Sequence, residues 1–437
     1  MSTAEALNQE LERAAPAVAA ALSPLGRRAF YPPDIPFQAA QARGKRYNAT
    51  IGQITDGAGG ILALPTIAAV LDRLSDADRN RALLYSPIEG LAELRERWQR
   101  WQTPAADSLP AGAVPSASVP IVTCGLTHAL ALTADVFGGP GRKVFIPAPF
   151  WGNYRQVYGV RTGAEVVAVS AFPERRFDPR AVARAITALP DGEPAMTLLN
   201  VPANPTGYSP TTEERRVLVD SLVAEAEKRP LVVVCDDAYA GLVYEPDIPQ
   251  TSLFWELAGR SGNLIPLLIT GSTKELIFFG GRVGFLTLPW ASDSPITAAL
   301  ESKIKGLIRA GIGSPPALSQ MVLLQALRKD DIRQEIAVVV GVMAERYRVL
   351  RVELERSERE HGAFRVLPFN SGVFALVELP EGVEADAVRR HLLDQEDVGL
   401  VSIGERYLRI AFCSLEAEAA PELVARLVRG VRAVAGR

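Results

Sequence analysis

The sequence predicts an α/β protein: a large domain on a mainly parallel sheet covered by helices on both faces, and a smaller α+β domain assembled from both chain ends. Three observations carry this expectation. Seven short apolar runs, at 120–124, 143–147, 165–170, 195–200, 231–235, 264–270 and 283–288, alternate with helical segments. Strands that read as unbroken apolar runs between helices belong to sheets buried on both faces. The chain has 437 residues, more than one ordinary core accommodates. Beyond Ser314-Pro315-Pro316 the pattern turns helical, with a long segment at 334–355, strand-like runs at 373–378 and 407–412, and a closing helix at 421–434.

Taken in order, Ser2 and Glu5 have capping-box spacing, and Leu7, Leu11, Val18 and Leu22 recur near helical period. This predicts an amphipathic helix kinked or ended near Pro16. A proline-rich loop at 31–36 leads into NATIGQITDGAGGILALP. Its glycines at 52, 57, 59 and 60 suit either a hinge or a close approach to a ligand. Residues 64–74 and 91–101 read as helices on either side of YSPIEG. The expected division is an N-terminal segment, 1–62, packing with the small domain, a large domain over 63–330, and a small domain over 331–437.

Composition excludes several classes. The apolar fraction of 48% is ample for a globular core, and a net charge of −3 shows no bias toward nucleic acid or anionic membrane. Cys124, Cys235 and Cys413 are widely spaced in apolar contexts, as expected of reduced core residues in a cytoplasmic protein. His128, His361 and His391 form no metal-binding pattern, so no metal is expected. The early sequence is acidic and lacks a basic and then apolar leader, so no signal peptide is expected. The longest uncharged run, 109–134, is interrupted by Pro110, Pro115 and Pro120 and does not read as a membrane span.

Ligands on a parallel sheet bind at the carboxyl ends of its strands. Gly125, Asn204, Asp236 and Lys274 each follow an apolar run and so share that edge. Lys274 sits between two apolar stretches, where an ammonium must pair or lose its proton. A neutral amine is a nucleophile that forms Schiff bases with carbonyl compounds, pyridoxal phosphate among them. Eight residues on, Arg282 offers a planar cation able to clamp a phosphate. Asp236 is suited to the ring nitrogen of such a cofactor, or to capping the next turn. Tyr239 and Asn204 are donors for its phenolic oxygen. Gly125-Leu126-Thr127 opens a helix whose amides suit the phosphate, and Trp151 is either a stacking partner or a core residue.

The ordered set NPTG at 204–207, DDAY at 236–239, and STK followed eight residues later by RVG resembles the fold-type I, class I/II pyridoxal-phosphate-dependent aminotransferases. The resemblance implies Lys274 as Schiff-base lysine and proton shuttle, Asp236 on the pyridine nitrogen, and Tyr239 and Asn204 on the phenolic oxygen. Arg282 joins Gly125, Leu126 and Thr127 at the phosphate. YSPIEG, FWGNY, IGQITDGAGGILALP, YLRIAF and IRAGIGSPP are similar to segments of the aspartate and aromatic branch. These imply Tyr85 at the phosphate of a neighbouring subunit, Trp151 on the ring, and Ile51 and Gly52 over the substrate. They also imply Arg409 on the α-carboxylate, and Arg309, from the partner of a homodimer, on a dicarboxylate's distal group. Two positions depart from the pattern. Tyr154 stands where histidine is usual, and Gly271 where serine is, leaving Ser272 or Thr273 to supply the missing hydroxyl.

The implied activity is transamination between an L-amino acid, dicarboxylic or aromatic, and a 2-oxo acid such as 2-oxoglutarate. The rivals are β-elimination or decarboxylation on the same scaffold and a regulatory protein sensing the cofactor. A nicotinamide enzyme is disfavoured because no G-x-G-x-x-G follows an early strand.

Overall fold

A computed structural model of the chain describes residues 3–56, 60–105, 108 and 117–436. Ser2, Gly57, Gly59, Pro110 and Pro115 lie outside the described residues. A two-residue strand, β1 (Tyr47–Asn48), comes first. All seven apolar runs then form strands: β2 (Ile121–Cys124), β3 (Lys143–Ala148), β4 (Glu165–Ser170), β5 (Ala195–Asn200), β6 (Leu231–Asp236), β7 (Leu264–Gly271) and β8 (Val283–Thr287). They build one sheet in the order β2-β8-β7-β6-β5-β3-β4. Every neighbouring pair is parallel except the two that involve β8. The connection at 272–282 is too short for a crossover helix, so β8 returns antiparallel to β7.

Successive side chains of a strand point to opposite faces. In β6, Val232 and Val234 enter one apolar core, whereas Leu231, Val233 and Cys235 enter another. In β5, Met196 and Leu198 face the first core and Ala195 and Leu199 the second. Both faces are therefore covered, which is why these strands read as apolar runs and not as alternating patterns. Burial of each large aliphatic side chain contributes roughly 1.5–3 kcal/mol, so the sheet holds its loops on a rigid base.

The second unit carries β9 (Arg365–Val366), β10 (Phe374–Glu378), β11 (Val398–Gly399), β12 (Val401–Ile403) and β13 (Tyr407–Ala411). Four of these form a sheet in the order β12-β13-β10-β9, while β11 pairs in parallel with β1. The helix expected at 334–355 spans Ile332–His361, 30 residues, and packs against the closing helix Ala420–Val434.

The N-terminal segment divides between the two units. Gln38 donates to the Ser402 carbonyl at 3.3 Å and Arg389 to Gln41 at 2.9 Å, tying residues 35–48 to the second unit. The leading helices reach the large unit instead, where Arg28 Nε donates to the Val160 carbonyl at 3.0 Å. The first helix, Ala4–Ala14, is capped by Thr3, whose hydroxyl accepts the Ala6 amide at 3.2 Å. This corrects the expected Ser2–Glu5 cap: the adjacent hydroxyl takes the position, and Glu5 falls one place earlier in the first turn.

The NPTG loop joins the units. Gly207 adopts φ +72°, a left-handed conformation, and a Cβ there would lie 1.9 Å from the Phe374 carbonyl oxygen. Its own carbonyl accepts the Asn370 and Ser371 amides, each at 3.0 Å. Gly207→Ala therefore meets both strain and a backbone clash, and is expected to cost roughly 2 kcal/mol or more. A urea midpoint unchanged from wild type would contradict this.

Candidate active site

A cavity of about 300 Å³ opens at the carboxyl ends of β5, β6 and β7, beside the start of helix Gly125–Phe137. Residues 51–53, Phe374 of β10 and Arg409 of β13 close it from the other side. Four charged side chains line it among the described residues: Lys274, Arg282, Arg409 and the lone carboxylate Asp236. None of the three cations forms a salt bridge with a described carboxylate, so the cavity is set to receive an anion.

Strand β7 runs into a four-residue helix, Ser272–Glu275, that presents Lys274. Its ammonium lies 5.1 Å from the centre of the Tyr239 ring. Burial pulls the Lys274 pKa down to about 8; the neighbouring Asp236 carboxylate opposes this and Arg282 adds to it. The turn is gripped from behind by helix Ala92–Gln102. There Trp98 stacks on Phe285 at 4.2 Å and its Nε1 donates to Thr270 Oγ1 at 2.8 Å. Trp101 Nε1 donates to Glu275 at 2.5 Å, and burial raises that carboxyl to about 7.

Three glycine backbones meet beneath Arg282. A Cβ on Gly271 would lie 2.8 Å from both Leu126 Cδ1 and the Val283 carbonyl oxygen, and one on Gly284 would lie 2.5 Å from the Gly125 carbonyl carbon. A serine at 271 therefore has no room, which accounts for that departure. Of the two candidate hydroxyls, Ser272 is turned away and donates to the Val283 carbonyl at 3.3 Å. Thr273 lines the cavity, and its buried hydroxyl has no partner. Arg282 is exposed and adopts φ 52°, a strained conformation for a residue with a side chain, and its Nη2 lies 2.5 Å from where a Gly125 Cβ would stand.

Asp236 is 2% exposed. Its Oδ2 accepts the Tyr154 hydroxyl at 2.7 Å and its Oδ1 the Ala238 amide at 3.2 Å. Burial raises its pKa, while the Tyr154 hydroxyl, the Lys274 charge and the Ala238 amide hold it down. Trp151 lines the cavity and meets the Tyr154 ring edge-on at 5.4 Å. Arg409 is 1% exposed, its guanidinium 4.1 Å from the Phe374 ring centre. It donates to Asn204 Oδ1 at 2.9 Å and to the Thr50 carbonyl at 2.6 Å, while Nε has no partner. Burial lowers its pKa to about 10. Tyr239 hydrogen-bonds Asn204, and burial raises the phenol well above its usual range.

Thus Ile51, Gly52, Leu126, Thr127, Trp151, Asn204, Asp236, Tyr239, Lys274, Arg282 and Arg409 converge on one cavity. Gly125 lies directly behind it, against Arg282. Ser272 is buried off the wall, Tyr85 is 97% exposed, and Arg309 is exposed; none of these three lines the cavity. Residues not foreseen from the sequence also line it: Tyr154, Asn200, Phe279, Phe374, Gln53 and Ile35. Asn200 had a local signal, a polar residue ending a run, and Tyr154 stood out as a departure. Phe374 comes from a distant strand and carried none.

The donor set fits pyridoxal phosphate. An unpaired buried hydroxyl, two amide-bearing residues at a helix start and Arg282 suit a phosphate, Asp236 a protonated ring nitrogen, and Lys274 an aldehyde.

Comparison with known proteins agrees. The profile of the family described as aminotransferase class I and II matches residues 50–427. The chain is 26% identical over 361 residues to the mitochondrial aspartate aminotransferase of Schizosaccharomyces pombe, covering 80% of this chain and 78% of the relative. It is 29% identical over 366 residues to the 2-aminoadipate transaminase of Thermus thermophilus, covering 80% and 82%. Among solved structures, the Thermus thermophilus α-aminoadipate aminotransferase, complexed with N-(5'-phosphopyridoxyl)-L-leucine, superposes with a TM-score of 0.76 at 23% identity, covering 96% of this chain and 99% of that one. The Pyrococcus horikoshii kynurenine aminotransferase gives 0.77 at 17% identity, covering 95% and 98%. With the family profile spanning most of its length, the chain belongs to the pyridoxal-phosphate-dependent class I and II aminotransferases.

Proposed function

We propose that this aminotransferase exchanges the amino group of a dicarboxylic or aromatic L-amino acid with a 2-oxo acid such as 2-oxoglutarate. The observation that carries the reading is the cavity itself: two arginines without carboxylate partners and one buried carboxylate around a lysine pulled down to about 8. Relatives named for aspartate and 2-aminoadipate support the dicarboxylic choice, and a structural neighbour named for kynurenine supports the aromatic one.

Bound pyridoxal phosphate supplies the electron-accepting ring that acidifies the substrate Cα–H bond. The chain's own groups do the rest. Lys274 Nζ is the nucleophile that would hold the cofactor's aldehyde group, and in its neutral form the same amine is the base placed to move the substrate Cα proton. Asp236 would hold the ring nitrogen, Tyr239 and Asn204 the phenolic oxygen, and Trp151 the ring. Arg282, Thr273 and the amides of Leu126 and Thr127 would receive the phosphate. Arg409 clamps the α-carboxylate with its free donors, beneath Ile51 and Gly52. We place the protein in the cytoplasm, where its three unpaired cysteines are stable as thiols.

The site is completed in a homodimer under this proposal. Leu83, Leu84 and Tyr85 are 85%, 68% and 97% exposed, an apolar run that a partner subunit would cover. Tyr85 would reach the partner's phosphate, and Arg309 the distal carboxylate of a substrate held by the partner.

Lys274→Ala is expected to retain the fold by circular dichroism and to lose amino transfer; turnover at the wild-type rate would refute its role. The free-amine fraction of Lys274 rises as pH rises through about 8. Condensation of cofactor-free protein with pyridoxal phosphate should accordingly quicken up to that pH and level off above it, as followed by absorbance. Arg309→Ala should lower kcat/KM for dicarboxylic donors roughly tenfold or more, the loss of a charged hydrogen bond. An equal loss on aromatic donors would count against a distal-carboxylate contact.

A further inference from the structure

We propose that Tyr154 is a positioning residue of this site: its hydroxyl fixes the Asp236 carboxylate with an uncharged donor, so that the carboxylate assigned to the cofactor's ring nitrogen is held in place with no imidazole behind it. The inference rests on the assignment of Asp236 to that nitrogen, and it concerns what stands behind Asp236, where the resembling branch carries histidine.

Tyr154 is 1% exposed and lines the cavity. Its hydroxyl donates to Asp236 Oδ2 at 2.7 Å, the Ala238 amide to Oδ1 at 3.2 Å, and Asn200 Nδ2 to the Asp236 main-chain carbonyl at 2.8 Å. All three donors are uncharged. The tyrosine is itself held in place. It stands at the entry to a widened helical turn, Arg155–Val160, which also buries Tyr158, whose hydroxyl shares a hydrogen bond of 2.8 Å with Thr133. Widened turns of this kind occur often at functional sites. Trp151 packs edge-on against the Tyr154 ring at 5.4 Å, so one contact links the cofactor-stacking candidate to the residue that holds the carboxylate.

The ionisable groups around the pair are Lys274, Asp237, Cys235, Tyr158 and Tyr239. None of the three histidines lines the cavity. Burial, reinforced by the facing Asp236 charge, drives the Tyr154 phenol far above its usual range, so it donates and does not ionise. Of the influences that oppose protonation of Asp236, the Tyr154 hydrogen bond is the strongest. A histidine in its place would exchange a proton close to neutrality.

The test measures pyridoxal phosphate dissociation constants by equilibrium dialysis for the full chain and for Tyr154→Phe, Tyr154→His and Asp236→Ala, from about pH 6 to about pH 8.5, a window that spans the imidazole range. Ratios to wild type for the two Tyr154 variants, which keep the Asp236 side chain beside Lys274, remove the titration of Lys274 common to both. Asp236→Ala is compared at the alkaline end, above the Lys274 pKa of about 8. Tyr154→Phe should bind roughly tenfold more weakly, with the deficit growing as pH falls, since a hydrogen bond to a charged group is lost. Tyr154→His should sit closer to wild type, with a ratio that changes through the imidazole range. A Tyr154→Phe ratio of one at every pH, or a Tyr154→His ratio that does not vary, overturns the proposal. If Tyr154→Phe does not fold, Tyr154→His decides alone. Asp236→Ala separates the two assignments. Wild-type affinity there removes Asp236 from the ring nitrogen, whereas weak binding there with unchanged Tyr154→Phe removes Tyr154 only.

Discussion

Three cations face one another and a single carboxylate across a cavity of about 300 Å³, and nothing the described residues offer neutralises them fully. Arg409 is the extreme case, 1% exposed and partnered by an amide oxygen, a main-chain carbonyl and the face of Phe374. Holding a guanidinium such as that of Arg409 out of water without counter-charge opposes folding. A site whose donors are fixed in advance needs little reorganisation when charge arrives or develops.

The framework does this by bringing main chains unusually close. Gly125, Gly271 and Gly284 leave no space for a methyl group between them, which sets the helix start against the lysine turn. Trp98 and Trp101 lock the same turn from the opposite side through Thr270 and Glu275. Gly207 plays the equivalent part between units, seated against Phe374 so that the Asn204 loop and the Arg409 strand share one wall. The chemistry thus sits at a seam. Asn204 belongs to the loop that follows β5 of the large sheet, Arg409 and Phe374 to the smaller sheet, and Thr50 to the N-terminal segment whose β1 pairs with β11.

Much of this was legible before any coordinates. The seven strands were readable because burial on both faces leaves a run of apolar residues, a signal carried within a few positions. The shared edge followed, since parallel strands place their following loops together. Where local pattern fades, the expectation was less good. The long helix continues to His361, six residues past the apolar periodicity, because the main-chain ladder persists through the charged ERSEREH end while one face is solvated. The first helix cap fell on Thr3 and not Ser2 because adjacent hydroxyls give nearly the same pattern. The equivocal hydroxyl at 272 or 273 was undecidable from order alone; the direction of a short helical turn sends Ser272 into the sheet and Thr273 into the cavity.

By itself the sequence determined the strands of the large sheet and the edge that Gly125, Asn204, Asp236 and Lys274 share, because those depend on apolar runs within single segments. Ile51, Gly52 and Arg409 were placed by motif resemblance alone. Tertiary structure decided which atoms touch: Tyr154 against Asp236, Phe374 under Arg409, and Arg409 to Asn204 across a separation of 205 residues. Side-chain partnership between distant segments is a property of how strands and loops are packed, to a fraction of an ångström, and no local periodicity encodes a distance of that kind.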